Sequence, residues 1–106
     1  MKFQRKTAIV EKIDNNIVLM DEEEKNIITL NETACLIWDS IENVISFDEL
    51  VKKFKSSFQD DINNEELEKD VDTVLAVLFN GNLLNVYDDN NNRLGVEEIE
   101  KLQVSN

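Results

Sequence analysis

The side chains able to do chemistry are few and poorly placed for it. The chain has no histidine, which removes the commonest general base and metal ligand. Its one cysteine, Cys35, lies between Ala34 and Leu36 in an apolar run, with no basic neighbour to lower its pKa, and reads as a small buried hydrophobe. Carboxylates gather at Asp60, Asp61, Glu65, Glu66, Glu68, Asp70 and Asp72, but without the alternating acids and glycine of a calcium loop. Acids in the first turn of a helix are expected from its dipole alone. Glycine occurs only at 81 and 95, so no glycine-rich phosphate loop exists. These residues predict a protein without catalysis of its own, and with no metal or cofactor.

The composition narrows the partners. The 106 residues suit one domain with a modest core, and 11 basic against 23 acidic side chains leave a formal charge of −12. A nucleic-acid binder needs a Lys/Arg surface to displace counterions. Here only Lys2, Arg5 and Lys6, read as a short basic arm over residues 1–6, answer that description. Neither nucleic acid nor an anionic membrane is expected as a partner, whereas a neutral or cationic one is easily accommodated. A lone cysteine forms no internal disulfide, and no spanning run or signal pattern is present, so a cytoplasmic location is expected. Proline is absent, so turns must rely on Asn and Asp.

The elements that position a site follow from periodicity. Ala8–Ile13 and Ile17–Met20 are β-branched runs around Asp14-Asn15-Asn16, the pattern of a hairpin. A charged turn, Asp21-Glu22-Glu23-Glu24, leads to a third strand over Lys25–Leu30. Asn31 then caps a helix over Glu32–Glu42, whose apolar face is Ala34, Ile37, Trp38 and Ile41. Ser46 and Glu49 form a capping box for a second helix, with Ile45 and Leu50 as its staple and Phe47, Leu50, Val51, Phe54 and Phe58 as its stripe. A third helix starts near Asn63, with Ile62 and Leu67 as staple. Its stripe is Leu67, Val71, Val74, Leu75 and Leu78, and it ends near Gly81-Asn82. Leu83–Tyr87 returns as a short extended segment. From Asp88 on, polar residues dominate.

Two features suit a peptide partner. The third strand closes the meander, so its outer edge is expected to present unpaired backbone groups. On the third helix, with the core centred on Val71 and Leu78, Asp70, Val74 and Val77 share one shoulder, and Val77 extends the apolar stripe sideways. Val77 either packs against another part of the molecule or forms a binding wall.

The run Leu30-Asn31-Glu32-Thr33-Ala34, followed by Ile37-Trp38, resembles that of the PqqD-like proteins, the precursor-peptide recognition elements of ribosomal peptide natural-product (RiPP) pathways. Asp70-Val71 and the endings Leu78-Phe79 and Leu83-Leu84 support the likeness, which covers about Ile9 to Leu84. The resemblance implies an α+β, winged helix-turn-helix-like fold: a three-stranded antiparallel sheet followed by three helices. It implies a non-catalytic chaperone that binds the leader segment of a precursor peptide by β-strand addition. It also implies presentation to a maturation enzyme, such as a radical-SAM enzyme, or to a leader protease as in lasso-peptide pathways. Carried over onto this sequence, the peptide-binding positions are Lys25, Ile27, Ile28 and Thr29 on the strand and Asp70, Val74 and Val77 on the helix. Where the family often has glycine after the first helix, Glu42-Asn43-Val44 stands here.

Residues 1–87 are thus expected to form the recognition domain, and 88–106 an acidic, flexible tail. The competing readings are a winged-helix regulator of transcription, which the acidic third helix disfavours, and a constitutive docking subunit of an enzyme.

Overall fold

The computed structural model describes residues 1–23, 25–57, 63–90 and 92–94. The strands are β1 (Lys2–Arg5), β2 (Ala8–Ile13), β3 (Asn16–Asp21), β4 (Ile27–Leu30), β5 (Ile45–Ser46) and β6 (Leu84–Tyr87). The helices are α1 (Glu32–Ser40), α2 (Phe47–Ser56) and α3 (Asn64–Asn80). The meander is present as β2-β3-β4, antiparallel throughout. Its first turn is the two-residue Asp14-Asn15 loop, and Asp14 takes the left-handed backbone (φ 55°) that glycine usually supplies.

The residues read as a basic arm are instead a strand. β1 lies between β5 and β6 in a second three-stranded sheet, pairing Lys2–Arg5 with Tyr87–Leu84. Phe3 explains the difference: it is a buried core residue packed edge-on against Phe47, and one such anchor draws the flanking charged positions into register. The extended segment after α3 is its partner. The acid-rich segment after it begins with a turn. Asp88 accepts from the amides of Asn90 and Asn92, and the Leu94 amide donates to the Val86 carbonyl at 2.7 Å. The rest of the tail, residues 95–106, lies outside the described residues.

Each helix begins where its cap residue stands. Asn31 Oδ1 accepts from the Ala34 amide at 2.8 Å, Ser46 Oγ from Glu49 at 3.2 Å, and Asn63 Oδ1 from Glu65 at 2.9 Å. Each cap contributes about 1 kcal/mol. Ala34, Ile37, Trp38 and Ile41 are all buried, although α1 stops short of Glu42, with Ile41 as its C-cap. Ile45 and Leu50 are buried at the start of α2, whereas Ile62 and Phe58 lie outside the described residues. In α3, Leu67, Val71, Leu75 and Leu78 are buried and Val74 is half-buried. Past Gly81, Asn82 adopts φ 61°, so it is the asparagine that takes the left-handed position. One core joins the inner face of the meander, the three helix stripes and the inner residues of β1, β5 and β6.

Candidate functional site: a groove between an edge strand and a helix

β4 is an edge strand: it pairs with β3 and with no other strand among the described residues. The pairing register decides which of its backbone groups are free. The Asp21 amide donates to the Asn26 carbonyl, so the directly opposed residues 21 and 26 form a hydrogen-bonded pair. Alternation then makes Leu19–Ile28 and Ile17–Leu30 hydrogen-bonded pairs, and Val18–Thr29 and Met20–Ile27 non-hydrogen-bonded ones. The N–H and C=O groups of Ile27 and Thr29 therefore point away from β3, towards the open margin.

Beside that margin runs α3. Between them lies an open groove of about 380 Å³ whose floor is Leu30, Ala34, Ile37 and Phe54 and whose helical wall is Asp70, Thr73, Val74 and Val77. The floor is core, since all four residues are buried. Val77 is 43% exposed, and it faces the groove. The wall is thus apolar at Val74 and Val77, with Asp70 as the one charged group among the described residues that line the groove. An extended segment placed here gains two kinds of contact: main-chain hydrogen bonds from Ile27 and Thr29, and burial of alternate side chains against the floor.

Of the seven positions expected at the site, Thr29, Asp70, Val74 and Val77 line this one groove. Ile27 stands at the open margin with its side chain 65% exposed on the outer face of the sheet. Ile28 points inward, towards the end of α3, where a Cβ on Gly81 would collide with its Cδ1. A side chain there would push the end of Ile28 aside, so glycine lets helix end and strand approach closely. Lys25, expected in the strand, sits in the turn before it. The Asp21 carboxylate accepts its amide at 2.8 Å, and its Nζ pairs with Glu23 at 3.2 Å. Sequence reasoning missed the floor. Phe54 and Ile37 read simply as core, and only the packing of α1 and α2 beneath the margin places them under the groove.

The structure gives the chemistry-bearing residues other roles. Cys35 is partly buried, and burial pushes its thiol pKa up, away from a nucleophile. Its Sγ lies 3.7 Å from the Leu30 carbonyl. Among the described residues no cluster of three or more His, Cys, Asp or Glu side chains is arranged to hold a metal. Asp60 and Asp61 lie outside them. No helix among the described residues is long and apolar enough to cross a membrane.

A meander whose edge strand faces a helix across an apolar groove, over a core shared with three helices, defines the α+β class of the domain. Residues 16–84 match the family described as Coenzyme PQQ synthesis protein D (PqqD), and the chain belongs to that family. Among solved structures its fold is similar to that of TbiB1 in complex with the TbiA(beta) leader peptide. The TM-score is 0.66 at 22% identity, over 81% of this chain and 99% of that one. No curated protein matches the chain.

Proposed function

We propose that the chain is a non-catalytic peptide chaperone of a RiPP pathway. It captures the leader segment of a precursor peptide as an added strand on β4 and presents the remainder to a modifying enzyme. Membership of the PqqD family supports this reading, as does the fold shared with a protein solved in complex with a leader peptide. The observation that carries it is the open margin of β4 facing Asp70, Val74 and Val77 across an apolar floor. Ordering a flexible leader costs about 2–5 kcal/mol, so backbone bonds alone are insufficient and buried anchors are needed. Val74, Val77 and the floor beneath them supply these.

In this reading Lys25, Ile27, Ile28 and Thr29 contribute the strand side and Asp70, Val74 and Val77 the helix side. Residues 1–87 form the binding domain, and the acidic segment 88–106 is left to meet the enzyme. That enzyme is a radical-SAM or other maturation enzyme, or a leader protease, working with this protein in the cytoplasm. Calorimetric titration with the leader of the cognate precursor tests the groove. Val77→Asp should weaken binding strongly while the circular dichroism of the fold is retained. Equal affinities for variant and wild type would refute the assignment.

A further inference from the structure

The groove has a direction, and that direction orders the side chains of any strand laid in it. At one end β4 meets α3, where Ile28 fills the space that a side chain at Gly81 would take. From that end α3 presents Val77, then Val74, then Asp70 to the groove. On the opposite side the lining passes from Thr29 and Leu30 to Asn31 and into the first turn of α1. β4 and α3 thus run past the groove in opposite senses, with Val77 at the Ile28 end and Asp70 at the far end. Asp70 is exposed, and no hydrogen bond or ion pair engages its carboxylate among the described residues. Beside it, the Thr73 hydroxyl donates to the Lys69 carbonyl at 2.9 Å.

The spacings match those of an extended peptide. A helix rises about 1.5 Å per residue, so Val77 to Val74 is about 4.5 Å and Val74 to Asp70 about 6 Å along the axis. Helical side chains lean towards the N-terminus, which carries the Asp70 carboxylate further from Val74. An added strand rises about 3.4 Å per residue and alternates its faces, so its inward side chains recur every 6.8 Å or so. Ile28 and Leu30 are the β4 residues on the inner face, and residues directly opposed to them point inward too. Successive inward side chains of the added strand therefore meet Val77, Val74 and, past the end of β4, Asp70. Antiparallel addition gives the slightly more stable ladder and continues the order of the meander. In that sense the residue at Asp70 comes first along the peptide and the residue at Val77 last.

We propose that this chain selects leaders carrying the pattern basic-x-apolar-x-apolar, read from N- to C-terminus, with the Lys or Arg side chain at Asp70 and the two apolar side chains at Val74 and Val77. This rests on the reading of the groove as a leader site. The two apolar side chains supply burial, and Asp70 sets the register. A slip of two residues would leave the cation against Val74 and an apolar side chain against the carboxylate. The formal charge of −12 acts in the same sense, since it draws a basic segment towards the protein.

The probe is a display library of random 12-residue peptides, selected on the wild-type chain and sorted by whether Val77→Asp abolishes binding. The Val77-dependent peptides should carry Lys or Arg two residues before an apolar-x-apolar pair. A synthetic peptide of this class should bind Asp70→Lys about tenfold more weakly than wild type, a like charge replacing an opposite one. Exchanging its basic residue for Glu should restore most of that loss on Asp70→Lys and weaken binding to wild type. The thermal midpoint of Asp70→Lys should stay at the wild-type value, because the position is exposed. Val77-dependent peptides without the basic residue, or with it after the apolar pair, overturn the proposal. So does a loss on Asp70→Lys that the Glu peptide does not recover. If no selected peptide depends on Val77, the leader-groove reading itself fails, which is a different result from Val77-dependent peptides that ignore Asp70.

Discussion

The meander has two edge strands without a further strand partner among the described residues, and the peptide site is proposed at only one of them. β2 is the longer, and it has more exposed apolar side chains: Ile9, Val10 and Ile13 are about half-exposed. By the same alternation that frees Ile27 and Thr29, the backbone groups of Ala8, Val10 and Lys12 point outward from β2. A hollow of about 350 Å³ even lies beneath it, lined by Arg5, Ala8, Val10, Trp38 and Glu42 among others. What differs is the contents. The Arg5 guanidinium sits over the Trp38 ring at 5.0 Å, bonds the Trp38 carbonyl, and lies near Asp39 and Glu42. A strand entering there must displace a cation from an aromatic face and from its hydrogen bond. At β4 the groove is lined by Leu30, Ala34, Ile37 and Phe54 beneath the wall of Val74 and Val77, and among the described residues only Asp70 brings a charge to it. An open sheet edge is common to both margins. They differ in what stands beside them: a cation on an aromatic face at β2, and the apolar wall of Val74 and Val77 at β4.

The contrast is broken or sharpened by substitution. The largest effect is expected from Val77→Asp, which places a charge in the wall and should cost about a hundredfold in leader affinity by calorimetry, the scale of an interface hot spot. Paired prolines test the margins themselves. Thr29→Pro removes an outward amide donor without breaking the ladder to β3, and should cost tenfold or somewhat more, about 1–2 kcal/mol. Val10→Pro does the same at β2 and should leave leader binding unchanged. If both weaken binding equally, the margins are not distinct.

Gly81→Ala forces Ile28 away from the end of α3 and should cost about 1 kcal/mol of stability, read as a lower thermal midpoint. Acidification acts on two turns, the one before β4 and the one after β6. The pKa values of Asp21 and Asp88 are both lowered, so their contribution is complete above the unfolded value of about 3.8 and is lost as pH falls through the folded values. Thermal midpoints should therefore fall more steeply below pH 4 in the wild type than in Asp21→Asn. The smallest effect is expected from Ile13→Thr, on the solvent face of β2, at within about 0.5 kcal/mol in denaturant unfolding and with no change in leader affinity.

Much of this architecture is written locally. The caps Asn31, Ser46 and Asn63 act over two or three residues, so their helix starts are legible without a fold. The hairpin around Asp14-Asn15 and the apolar stripe of α3 are equally local, because period and turn chemistry are properties of neighbours. The shoulder of Asp70, Val74 and Val77 was legible too, since helical geometry alone puts these residues on one side. Lys25 misled for a local reason that is visible only in three dimensions: its amide is taken by Asp21, which ends the turn two residues later than the strand pattern suggests.

Sequence alone determined the meander, the three helices with their stripes, the lack of histidine and the residues able to wall a groove, because each depends on side-chain type and short-range spacing. Tertiary structure decided the rest. β1 finds β6 across the whole length of the domain, α3 closes on β4 through Gly81 and Ile28, and Arg5 packs beside one margin while Val74 and Val77 wall the other. Those outcomes depend on contacts between residues far apart in the chain. Such contacts are selected by the shape of the packed core, which no local pattern contains.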